Sequence, residues 1–502
     1  MKKIGACFWL AGVVSAASAQ TNVPVQTNAP AQASASAVRI LSLQECIQEA
    51  LQHNFDVRVE RYNPLIARFG LDAAYAGYDP ALNLSGNHSH SDTGGWGTNG
   101  ISVSDSDYFD SNLGGTLSSG TQYKLDGNVT KYYNQGSEDA SGGSVGATLT
   151  QPLLKNFWTD QTRLTISSAK NTVKTKDQEL RNQLITTVSA VENAYYELIY
   201  AREDLSVKQE ALALASTQLD EDRQRVKAGS VAERAGTLEQ DEKQVAQSRA
   251  DLIAAQYTLA SDENALKMLI TDDYLQWHDV DIQPAGSLDA VRQWFDVQAS
   301  WNQGLTSRPD LIQAKIKLEQ QGIQLKYDRN QLFPELDLKG SYGFNGGGQG
   351  FDDALSQYAT ANRPTWSYGA QVTMPLGNVA ARSSYKSDQA VEKQEVLQLK
   401  QLEQSIMVAI DNAVKLAQSD WESVEASRSA RIYAEASLAA EQKKYAVGKS
   451  TTFTVLTLQN DLTAARSAEI RAQANYKEAL TALAQAEGST LERRNVNLSD
   501  KP

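Results

Sequence analysis

The stretch Gly77-Tyr78-Asp79-Pro80-Ala81-Leu82-Asn83-Leu84-Ser85-Gly86-Asn87, GYDPALNLSGN, has a second version 254 residues later, QLFPELDLKGS at 331–341. Each copy closes a helix-like segment (41–78 and 310–332) with a proline and then alternates apolar and polar residues, the period of a strand. Two more pairs follow in the same order. TQPLLKN at 150–156 matches TMPLGNV at 373–379, offset by 223; RVKAGS around Gly229 matches KYAVGK around Gly448, offset by 219, which Tyr257 and Tyr476 keep. The offsets shrink by 31 residues across the β-like region and by only 4 across the helical one. Long helices hold register while surface hairpins vary in length, so the chain reads as a tandem duplication.

Outward from these landmarks, alternation covers 81–90, 121–133, 336–344 and 366–374. In the last, Trp366, Tyr368, Ala370, Val372 and Met374 oppose Ser367, Gly369, Gln371 and Thr373. Such alternation suits a soluble sheet with one wet face as well as a membrane barrel; segments near the ~9–11 residues of a tilted membrane strand, with terminal aromatics, favour the barrel. The links 90–106 and 345–363 read as exposed loops, and Ser119-Gly120 as a turn that adds a hairpin to the longer first half. Four clear strands fall short of the roughly 8 of the smallest barrels, so one copy cannot close; two copies give a filled barrel and three leave a lumen.

After Pro152 and Pro375 come stretches without proline and almost without glycine, 162–227 and 384–447. At about 1.5 Å per residue each spans roughly 100 Å, too long for a compact domain. Leu184, Val188, Val191, Tyr195 and Leu198 step by 4 and 3, and Leu238, Val245, Leu252, Leu259 and Leu266 recur every seven residues, a coiled-coil spacing. Gly229 and Gly448 mark sharp reversals into return helices.

The ends and the bulk numbers set the compartment. Lys2 and Lys3, an apolar run over 8–14, and Ala17-Ser18-Ala19 read as a signal peptide over 1–19. A flexible leader over 20–39 follows, then a first repeat over 40–274, with its β-hairpin region at 81–151. A connector over 275–305 carries Trp277, Trp294 and Trp301; a second repeat spans 306–487 with its hairpin at 335–375, and a tail covers 488–502. Losing Lys2 and Lys3 takes the formal charge from −13 to −15, which argues against nucleic acid and anionic lipid as partners. Cys46 is then the only cysteine and reads as a small apolar residue on a helix face.

Enzyme and metal motifs fail on inspection. Gly448-Lys449-Ser450-Thr451 lacks the glycine of a phosphate loop at Lys443 and follows a helix. His88 and His90 share a strand face without a third ligand, Asp272-Asp273 lacks an EF-hand frame, and Asp220-Glu221-Asp222 reads as a solvated helix face. No catalytic site, cofactor or metal is expected.

Three segments carry a family resemblance over residues 40 to 487: LSLQECIQEALQHN at 41–54, SRPDLIQAKIKLEQQGIQLKYDRNQLFPELDLKGSYG at 307–343, and KKYAVGKSTTFTVLTLQNDLTAARSAEIRAQANYKEALTALAQAEG at 443–488. With the duplicated order of elements, the chain resembles the TolC family of outer-membrane efflux proteins. The resemblance implies a mixed α and β membrane protein: a trimeric transmembrane β-barrel continuous with a long periplasmic α-helical barrel. It implies a passive exit duct of a tripartite efflux or type I secretion system in a Gram-negative outer membrane. The implied partners are outer-membrane lipid, a periplasmic adaptor and an inner-membrane transporter, docking at tips marked by Val226, Gly229, Tyr445 and Gly448.

Family members often place aspartate six residues after the tip glycine, and some another nine after it in the second half; Ala235, Thr454 and Thr457 stand there instead. Glu233, Glu239 and Asp241 are the candidates for an acidic entrance, against the alternative that acids near a helix N-terminus simply suit its dipole. A periplasmic adaptor or a coiled-coil surface protein is the alternative function; one helical hairpin and soluble β-domains would mark the adaptor.

Overall fold

The computed structural model describes residues 38–93, 102–134, 138–227, 237–360 and 363–496. The signal segment, most of the leader, Gly229, Glu233 and Ala235 lie outside the described residues. In chain order the elements are β1 (Val38–Leu41), α1 (Leu43–His53), α2 (Phe55–Tyr75), β2 (Ala81–Thr93), β3 (Ser102–Thr116), β4 (Gln122–Asn134), β5 (Ala140–Pro152), α3 (Gln161–Lys227) and α4 (Thr237–Ile270). There follow α5 (Tyr274–Trp277), β6 (Asp281–Pro284), α6 (Val297–Ser307), α7 (Pro309–Asn330), β7 (Glu335–Gly348), α8 (Phe351–Thr360), β8 (Pro364–Thr373), α9 (Val379–Ala446), α10 (Thr452–Glu487) and α11 (Thr490–Arg493).

The segment 41–78 is two helices, not one. Asn54 breaks it: its Oδ1 accepts from the backbone N–H of Asp56 and Val57 (3.0 and 3.2 Å), capping α2 where α1 ends. Ser42 and Glu45 close a reciprocal capping box on α1. The long helices α3 and α9 run 67 and 68 residues, about 100 Å each.

The helices pack side by side in one layer, with α3 and α9 running its full length. Towards the sheet the order is α2–α3–α7–α9; away from it, α4–α3–α10–α9. The apolar steps on α3 are the seam: Leu184, Val188, Val191, Tyr195 and Leu198 are buried against Cys46 and Ile47 of α1, Leu266 and Ile270 of α4, and Ile282 of β6. Burial pushes the Cys46 thiol up to about 12. A second core joins Leu311 of α7, Ile406, Ile410 and Val414 of α9, and Leu483 of α10.

The connector packs through two tyrosines. Tyr195 accepts from Gly286 N–H (3.0 Å) and donates to Leu41 O (3.1 Å); Tyr476 accepts from Gln293 N–H and donates to Val291 O (both 3.1 Å). β6 pairs in parallel with β1. Of the three tryptophans, Trp301 donates to Met407 O (3.1 Å) and Trp277 packs on the core, whereas Trp294 stays exposed under Arg292.

The main sheet has six antiparallel strands, β2-β3-β4-β5-β7-β8, where alternation alone marked four. β3 begins inside the expected 90–106 loop, and β5 hides its alternation behind glycines at 142, 143 and 146. The expected turn at Ser119-Gly120 does join β3 to β4: Gly120 takes φ +85° and its N–H donates to Leu117 O (2.8 Å). The second expected loop, 345–363, is the end of β7 followed by α8. That helix lies on the sheet because Gly346 has no side chain; a Cβ there would sit 2.5 Å from Ala354 O.

Candidate functional site

The sheet sorts its side chains cleanly. Across all six strands, Leu82, Leu113, Leu125, Ala147, Tyr342 and Trp366 stand in one cross-strand row. One residue along, Asn83, Asn112, Asp126, Gly146, Gly343 and Thr365 form a row on the opposite face. In these rows one face is apolar and aromatic and the other small and polar, the alternation of a barrel wall; farther along, the apolar side gives way to His88, Asp107, Lys131 and Ser141. The outer strands β2 and β8 each leave one edge of backbone N–H and C=O groups without a strand partner among the described residues.

The helical layer is open at its edges too. Phe55, Val59, Tyr62, Ile66 and Phe69 form an exposed stripe along α2 at helical spacing, and Leu397, Val408 and Leu416 are exposed along α9. Tyr257 and Tyr476 show the difference an edge makes: the first, on α4, is 76% exposed, the second, on inner helix α10, 1%.

At the far end, α9 reverses into α10 at Gly448, whose φ of +76° and bond to Tyr445 O (3.0 Å), with Lys449 N–H on Lys444 O (2.9 Å), make the turn. Of the expected tip residues, Tyr445 and Gly448 lie at this turn, whereas Gly229 is outside the described residues. Tyr445 donates to Asp222 Oδ1 (2.6 Å) on α3, while Thr452 and Gln218 both donate to Asp222 Oδ2 (3.0 Å). The Arg225 guanidinium lies 4.6 Å from the centre of the Tyr445 ring and 3.5 Å from Asp222. Burial, then the bond to Asp222, raises the Tyr445 hydroxyl. Val226 is half-buried beside this cluster, one residue before the end of α3.

The acidic run 220–222 is only partly the solvated face its sequence suggests: Asp220 and Glu221 are exposed, but Asp222 is 5% exposed and ties two helical hairpins together. No periodicity reveals this, since its partners on α9 and α10, Tyr445 and Thr452, lie more than 220 residues away. Of the acidic-entrance candidates, Glu239 is exposed in the first turn of α4 and Asp241 is inside, 1% exposed, with neither carboxyl oxygen hydrogen-bonded. Burial first, and then the charge of Asp222, pushes Asp241 up to about 7.

That shift has a sign. The folded chain holds the Asp241 proton to higher pH than an ordinary aspartate near 3.9, so stability is greatest below about 4 and is lost as pH rises towards 7. Asp241→Asn is therefore expected to leave the tip unchanged at pH 4 and to slow its hydrogen exchange at pH 8. Equal exchange of variant and parent at both pH values would contradict this account.

Farther along, Glu192 on α3 is buried and accepts from Thr481 (2.7 Å) and Arg494 Nε (2.6 Å). Arg471 forks onto Glu197 at 2.6 and 2.8 Å, and Arg428 (3.4 Å) and Arg431 both reach Glu469. These pairs lock the helical wall.

Comparisons with known proteins agree in class. The family described as outer membrane efflux protein matches residues 46–271 and 301–489, leaving out most of the connector. A curated relative, the outer membrane efflux protein BepC of Brucella suis biovar 1 (strain 1330), is 25% identical over 368 residues, 72% of this chain and 75% of that protein. Among solved structures, the outer membrane protein VceC of Vibrio cholerae superposes with TM-score 0.66 at 18% identity, covering 89% of this chain and 96% of that one. The CmeC outer membrane channel of Campylobacter jejuni gives 0.66 at 16%, covering 91% and 90%. At those identities the two structures speak for the fold.

Proposed function

Because the chain belongs to the outer membrane efflux protein family, we propose that several copies, three by its family resemblance, close it into a continuous duct. The chain is an outer-membrane efflux channel of a Gram-negative bacterium. The finer reading is a homotrimer whose sheets join into one barrel through the membrane and whose helices join into one tunnel below it. The single observation that carries it is the matched pair of open edges. A bare strand edge in hydrocarbon leaves backbone groups that cost several kcal/mol each, so β2 of one copy must pair with β8 of the next. The exposed α2 stripe and the apolar side of α9 then meet in the same ring.

In this reading the two halves of the chain arose by duplication, each supplying a set of strands and a helical hairpin. The tips docked by a periplasmic adaptor carry Val226, Gly229, Tyr445 and Gly448, and an inner-membrane transporter drives the cargo. The Asp222–Tyr445–Thr452 cluster holds the entrance in one shape, since it joins the end of α3 to the α9–α10 turn.

Purified protein in planar bilayers is expected to conduct as a three-copy particle. A photo-crosslinker at Lys449 is expected to capture an adaptor from intact cells. A water-soluble, non-conducting single copy would sink the proposal.

A further inference from the structure

The strand number bears on what the duct passes. We propose that three copies form an 18-stranded barrel with an open polar bore as wide as the helical tunnel, so that the exit passes bulky hydrated cargo without sieving it. This rests on the trimer proposed above.

Per copy, six strands about 4.8 Å apart and tilted by about 40° span about 38 Å of rim. The four helices beneath them, α2, α3, α7 and α9, at about 8–10 Å each, span about 32–40 Å. Four strands would span only about 25 Å at that tilt. With all six strands in the wall the two rims come to similar widths, whatever the copy number. Three copies give a rim of about 113 Å, a backbone diameter near 36 Å, and roughly 25 Å after about 5 Å of side chain on each side.

β3 and β4 are built as wall strands. Leu113 and Leu125 continue the apolar row, and Asn112 and Asp126 continue the polar one, in unbroken register with β2 and β5. The bore is left clear on the polar side. α8 packs on the other face: Gly346, covered by Ala354 and Tyr358, shares the parity of Tyr342 and Phe344, and Leu355 and Tyr358 line one pocket with buried Val129. The polar face carries Asp110, Asp126, Glu335 and Asp337 against Lys124 and Lys339, two net negative charges per copy, so it selects for cations by charge and not by size.

The test uses the full chain in planar bilayers with neutral polymers of graded size, and native mass spectrometry of the same sample. Polymers up to about 20 Å across are expected to enter and lower the conductance. Asn112→Cys and Lys124→Cys are expected to react with a bulky water-soluble maleimide and reduce current, while Leu113→Cys and Leu125→Cys do not react; the natural Cys46 is buried. Deleting 102–134, which lets β2 run antiparallel into β5, is expected to cut conductance about threefold. Exclusion of polymers above about 12 Å from a three-copy particle, or unreactive Asn112→Cys and Lys124→Cys, overturns the wide bore alone. A different copy number overturns the trimer reading instead.

Discussion

Replacing Arg494 by alanine is expected to cost about 3–5 kcal/mol, because it strips a buried carboxylate of its counter-charge. Glu192 is buried within the α3 seam, and Arg494 Nε approaches it at 2.6 Å from beyond α11. Thr481 satisfies the other oxygen but carries no charge. At 1.4 kcal/mol per tenfold, amides around 188–199 should exchange at least a hundredfold faster in the variant. Removing both charges, with Glu192→Leu and Arg494→Leu together, should recover most of the loss, since a buried pair is often replaceable by apolar groups of similar volume. A loss below about 1 kcal/mol in the single variant would show that the pair is only a surface contact.

Leu125→Arg is the second large effect, and it acts on assembly. Leu125 sits in the apolar row between Leu113 and Ala147, 49% exposed in the single chain. An arginine on the lipid face near the bilayer midplane costs about 2–4 kcal/mol, or about 6–12 across three copies. Membranes should yield little assembled oligomer. Asp126→Arg, one residue on and facing the polar side, should assemble and shift the channel towards anions. If both variants assemble equally well, the faces have been assigned wrongly.

Local pattern made much of this legible. Two helices near 67 residues followed from the absence of proline and glycine; the α3 seam followed from steps of 4 and 3; the turn at Gly448 followed from its glycine. These features depend on neighbours a few residues apart, so the chain states them directly. β3 and β5 were missed because Gly142, Gly143 and Gly146 and the acidic run at 105–110 blur a period-two signal that is already weak in barrel strands. α8 escapes for a related reason: a ten-residue amphipathic helix between a glycine run and a proline looks like a loop until the sheet gives it a surface.

The signal segment, periodicity and glycine and proline punctuation marked the compartment, the long rods and the apolar and polar faces, and the resemblance of three segments marked the family. Tertiary structure decided how many strands share the wall, that Asp222 and Asp241 are buried while Asp220 stays wet, and that Glu192 waits on Arg494. The reason is sequence separation. A helix or a strand face is set by residues within one or two turns, whereas a carboxylate's environment is set by partners hundreds of residues away, brought near only when the helices pack.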